Sequence, residues 1–231
     1  MKQHAEHLRQ SLADSHKLAN RLDEPGFPLV ELEIVQTWQR QRLAHSFHDL
    51  ISQERYRAAG DFFLDELYGG LHFRERDQEM ERVLPAMVRM LRDDMLKVLA
   101  EAFELQALSL EFDMGMTTAL VEFGWDELDT DRYGQIYRAC GRSAERERQI
   151  ELIHRLGLKL NKLVHHRLVL LLIRTLRGPA RAAGFGQLQS FLEQGLNAFR
   201  MMGDGTEFVE TVWRKESEVM QRLLAGDEKP F

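Results

Sequence analysis

Cysteine occurs once in these 231 residues, at Cys140, so no disulfide can close within the chain, and proline occurs only five times. Long apolar runs are missing too: none reaches the ~18 residues needed to cross a bilayer. The start, Met1-Lys2-Gln3-His4-Ala5-Glu6, lacks the apolar core that a secretion machinery reads. Alternating strand patterns bounded by hairpin turns are not found. Neither is a nucleophile beside its base, a phosphate loop or a complete metal set. Together these absences exclude a disulfide scaffold and a helical membrane protein, favour a non-catalytic role, and predict a cytoplasmic setting.

What the chain does have is apolar residues at helical spacing almost throughout. At 44% hydrophobic and 29% charged, it can bury a sizeable core and is no disordered polymer. The expectation is an all-α multi-helix bundle without β-sheet, one domain over 1–231, with residues 1–24 as a peripheral N-terminal helix. Periodicity predicts helices over 3–22 and 29–53, the latter burying Leu32, Val35, Leu43, Phe47 and Leu50 and leading directly into an aromatic segment. Further helices follow over 74–91, bent at Pro85, and from a cap at Asp93 or Asp94 to Phe123. Another starts at Asp131, and a long one over 144–176 ends at Gly178-Pro179 with its apolar run 168–173 at the core's centre. The last two run from Gly184-Phe185-Gly186 to about 202 and onward from a cap at Thr206.

The net charge of -6 conceals an asymmetry: residues 138–181 carry +8 and the remainder -14. Such halves can hold each other within one fold, or one can attract an anionic partner. An acidic total argues against nucleic acid and favours internal pairing.

Candidate site residues cluster in a few places. In the segment 55–70, Tyr56, Ala59, Phe63 and Leu67 share a helical face, Gly60 beside them permits a close helix approach, and Arg57 and Glu66 sit at the margins. Asp113 projects from the apolar middle of the 93–123 helix beside Gln106 and Ser109, while Glu101, Glu104, Glu111 and Glu122 take the opposite, solvated side. A core-facing carboxylate needs a cationic or hydroxyl partner. Arg57, Arg174 and Tyr56 are candidates, and Arg57, Glu66 and Asp113 are expected to form a partly buried network. Arg174, Arg177 and Arg181 surround the Gly178-Pro179 break, and with free amides at the next helix start they suit a carboxylate or phosphate. Tyr68 and Phe73, aromatics in a loop, suit an interaction surface. Glu151 and His154 have the spacing of one half of a carboxylate-bridged di-metal site.

The run Phe62-Phe63-Leu64-Asp65-Glu66-Leu67-Tyr68-Gly69, followed by Phe73-Arg74-Glu75-Arg76-Asp77 and Val83-Leu84-Pro85, resembles an uncharacterised bacterial all-helical family marked by Phe-Phe-Leu-Glu/Asp-Glu-Leu-Tyr. The resemblance implies a discrete bacterial cytoplasmic protein with no activity or catalytic residue to transfer. The reading is therefore an interaction or regulatory module that needs no cofactor. It binds a small anionic ligand or a protein, a second copy of the chain included. Two alternatives stand beside it: a ferritin-like metal-dependent oxidoreductase using Glu151 and His154, and an apolar-ligand carrier suggested by 13 Phe and 10 Met.

Overall fold

The computed structural model describes residues 3–67, 79, 81–85, 88–89 and 91–231, excluding the side chains of 66, 67, 167–170, 172, 173, 176 and 179. Every regular element among them is a helix, as the periodicity predicts. In chain order these are α1 (Ala5–Arg21), α2 (Leu29–Ser46), α3 (His48–Ile51) and α4 (Glu54–Phe62), which runs into a π-helical turn at Phe63–Leu67. Then come α5 (Asp93–Phe123), α6 (Thr130–Cys140), α7 (Ser143–Leu163), α8 (Arg167–Ala182), α9 (Gly186–Met201) and α10 (Thr206–Ala225). Among the described residues no helix is long and apolar enough to cross a membrane.

The spine is α5, whose 31 residues span roughly 46 Å. Leu96, Ala100 and Phe103 on its first half pack against Ala5, Leu8 and Leu12 of α1. Its middle, Leu110 and Met114, meets Ala19, Leu22 and Leu32. Toward its end Met116, Ala119 and Leu120 join Val35 of α2, Ile136 of α6, Ile150 of α7 and Leu223 of α10. A further core lies where α2, α3 and α4 meet α9 and α10, and Tyr56, Phe199 and Phe208 fill it.

Neighbours on several sides explain why one apolar stripe fails to describe α5. Ala102 is exposed, whereas Leu96 and Ala100 are fully buried. Glu101, expected on a solvated side, is 2% exposed. Its cap residue is Arg92 rather than Asp93 or Asp94, which sit in the first turn where the helix dipole favours acids. Asp93 accepts the His4 amide at 2.9 Å and so ties the start of α1 to that of α5.

Three predicted boundaries need correction. The helix expected over 29–53 breaks at Phe47 and again at Gln53, so α4 is separate. Lys215 of α10 donates to the Ser46 carbonyl at 2.8 Å, satisfying a group that an uninterrupted helix would have bonded itself. Leu43, Phe47 and Leu50 are nonetheless all buried. The helix expected over 144–176 instead ends at Leu163, with buried Val164 anchoring the turn. Its successor α8 then continues through Gly178 and Pro179 to Ala182, so the proline expected to end the helix lies in its last turn. Of the run 168–173, expected at the core's centre, only the Leu171 side chain is described, and it is 58% exposed. The start of α6 is capped by Asp129, which accepts the Arg132 amide at 2.8 Å. Half of the helix expected over 74–91 falls outside the described residues; of the rest, 79, 81–85 and 88–89 are helical.

Gly60 does permit a close approach. A Cβ there would stand 2.8 Å from the Cβ of Ile51, so α3 rests directly on the backbone of α4.

Candidate functional site

Helices α2, α5, α6, α7 and α10 converge on a cavity of about 50 Å³ that five helices line with more than apolar groups. Gln39 and Arg42 enter from α2, Asp113 from α5, Tyr137 from α6, Arg146 from α7 and Glu216 from α10. Space on this scale holds a few water molecules, at roughly 10–15 Å³ each, or one small ion.

Arg146 is the least expected member. It is 4% exposed, and its guanidinium carbon lies 3.6 Å from the Tyr137 ring centroid and 4.2 Å from that of Phe112. Two aromatic faces thus clasp the cation, an arrangement that strengthens when water is excluded. Its Nε donates to the Gly141 carbonyl at 3.3 Å, while Nη2 is buried without a hydrogen-bond partner. In the sequence Arg146 precedes Ile150 by four residues and Ile153 by seven, which puts it on the apolar face of α7. That spacing was the available signal; counted with the basic stretch as a whole, it passes unnoticed.

Asp113 faces the same cavity. Its two carboxylate oxygens accept from Gln36 and Gln39, each at 3.0 Å. Burial pushes its carboxyl up to about 6, against the two amide donors and the charge of Arg146, which pull the other way. Arg42 and Glu216 form a bidentate pair at 2.5 and 2.9 Å, nearly enclosed on both sides. Burial raises the phenols of Tyr133 and Tyr137, so both stay neutral. Tyr133 also stacks on Trp38 at 3.9 Å, and Phe231 leans on both rings.

The expected partners of Asp113 are thus corrected. Arg57 is exposed on α4, Arg174 is exposed on α8, and Tyr56 donates instead to Glu207 at 2.7 Å. Among the described residues no network joins Arg57 to Asp113, and the side chain of Glu66 lies outside them. The polar trio on α5 disperses to three helices: Gln106 donates to Ser15 of α1, Ser109 accepts from Gln149 of α7, and Asp113 accepts from α2.

Arg177 is paired bidentately with Glu193, while Arg174 and Arg181 are exposed. The amides at the start of α9 do hold a carboxylate, but it is the chain's own: buried Glu79 accepts Gln187 N at 3.3 Å and Leu188 N at 2.7 Å. Tyr68 and Phe73 lie outside the described residues.

Glu151 is exposed, and His154 instead contacts Glu210 at 2.8 Å and stacks on Trp213. Among the described residues no three His, Cys, Asp or Glu side chains gather closely enough to hold a metal. The convergence required by the oxidoreductase alternative is therefore not formed there. The apolar-ligand carrier requires an enclosed space of at least ~300 Å³, several times the volume of this polar cavity.

Fold and cavity together define the class as an all-α bundle built around a partly buried polar cluster. The chain belongs to the family of the domain of unknown function DUF8198, whose model matches residues 19–230. Comparison with curated proteins and with solved structures found no match.

Proposed function

We propose that the chain is a non-catalytic, cytoplasmic binding module whose central cavity takes a small anionic ligand. The observation that carries this is Arg146, a buried cation clasped by two rings, with one nitrogen unpartnered beside a cavity. Arginine stays charged in proteins, and an enclosed charge is costly unless matched. Asp113 shares the cavity but makes its hydrogen bonds to glutamines. A small oxyanion within reach of Arg146 would supply the missing acceptor. The cytoplasmic setting rests on a lone cysteine in a chain of this size.

Isothermal titration with a size series of formate, acetate and citrate tests the reading. The expected result is saturable one-to-one binding of formate or acetate, no binding of citrate, and loss of binding in an Arg146→Met variant that keeps its helical circular dichroism. A parent protein that takes none of the small anions would refute it.

A further inference from the structure

We propose that the cavity takes up its anion together with one proton, which goes to the Asp113 carboxylate, so that the ligand is a small monovalent carboxylate or comparable oxyanion. The inference rests on the preceding reading of the cavity as an anion site and adds the charge and proton count of the ligand.

Charge balance carries the argument. The groups facing Asp113 are Gln36, Gln39 and Arg42 from α2, Tyr133 and Tyr137 from α6, Arg146 and Gln149 from α7, and Glu216 from α10. The glutamines and the two phenols are neutral. Arg42 and Glu216 neutralise each other through their two hydrogen bonds. What remains is one cation, Arg146, and one carboxylate, Asp113. With Asp113 ionised the cluster is neutral, and an arriving monoanion leaves a net negative charge in a poorly solvated space, where uncompensated charge is expensive. With Asp113 protonated the cluster carries a single positive charge, and the same monoanion makes it neutral. The protonated carboxyl also becomes a hydrogen-bond donor, so the anion meets Arg146 on one side and an O–H on another. A dianion would leave a negative remainder even after the proton is taken up, which selects a monovalent ligand.

Nothing else in the cluster can do this near neutrality. Arginine does not release its proton, the phenols titrate well above neutrality, and both carboxylate oxygens of Glu216 are already engaged by Arg42. Asp113 is already displaced toward neutral pH by its surroundings, so little further stabilisation of the protonated form is required.

The experiment is calorimetric titration of formate and acetate between about pH 5 and about pH 8, repeated in two non-carboxylate buffers of different ionisation enthalpy, which counts the protons exchanged. Expected are about one proton taken up per anion above pH 6, a roughly tenfold loss of affinity per pH unit there, and a plateau below. An Asp113→Asn variant should bind acetate without proton exchange and with an affinity independent of pH; should it fail to fold, the proton count on the parent decides alone. Binding by the parent with no proton uptake and flat affinity would overturn this inference and leave the anion reading standing. No binding at any pH in the range would overturn both.

Discussion

Asp113 shows how much a single residue's position reveals and how little its partners do. A carboxylate among apolar neighbours on a helical wheel is visible from spacing alone, but which helix faces it depends on packing, and the Gln36 and Gln39 that hold it come from 77 and 74 residues away. Its titration has a definite sign. An aspartate near 3.9 when unfolded and about 6 when folded binds more protons in the folded state between those values. Stability should therefore rise as pH falls from above 6 toward 4, by at most about 3 kcal/mol for a two-unit shift. An Asp113→Asn variant should be more stable than the parent near pH 8 and should lack this rise. The Asn amide still accepts from one glutamine, and the other can turn to accept from it. Urea unfolding at several pH values checks this, and a variant weaker than the parent near pH 8 would contradict the sign.

Between elements, the seam that organises the bundle joins α5 to α7. Glu101 meets Lys159 at 2.8 Å and Arg155 at 3.4 Å, Glu104 meets Arg148 at 2.8 Å, and Glu111 meets Arg142 at 2.9 Å. Sequence periodicity put the acidic stripe on a solvated side of its helix, and the charge asymmetry favoured internal pairing without naming the helices that meet. Nothing in either pattern alone tells that they face one another. Burial opposes ionisation of Glu101, but the hydrogen bond from Lys159 and the charges of Lys159, Arg155 and Lys97 outweigh it and hold its pKa below the ordinary glutamate range. Its contribution is thus present above the unfolded value and is lost as pH falls through the lower folded one. Replacing Glu101 by Gln leaves two cations without their carboxylate. Because both are more than a third exposed, water screens them, and the expected loss is about 1–3 kcal/mol rather than the 3–5 of a fully enclosed pair. Thermal unfolding near pH 7 checks it; an unchanged midpoint would mean that the seam is held by packing alone.

For the whole molecule, the +8 carried by residues 138–181 is in part an internal matter, directed against α5 and, through Arg177, against Glu193 of α9. The N-terminal helix is a harder case, because sequence and family point one way and packing the other. The family model begins at residue 19, and residues 1–24 were expected to form a peripheral helix. Yet Ala5 and Leu8 are fully buried and Leu12 nearly so, closing over Leu96, Ala100 and Phe103. Ser15 accepts from Gln106 at 2.8 Å beneath the same helix. Fully burying a leucine stabilises by about 1.5–3 kcal/mol, and removing α1 would uncover the facing residues of α5 as well. A protein of residues 19–231 should therefore lose on the order of 5 kcal/mol, comparable with the whole stability of many domains. Urea unfolding of the two lengths side by side tests this. An early or absent cooperative transition in the shorter protein is expected, because the spine of the bundle would be left half uncovered. An unchanged midpoint would instead mean that α5 closes its first half without α1, and that the contacts at Leu8 and Leu12 add nothing the remaining helices cannot replace.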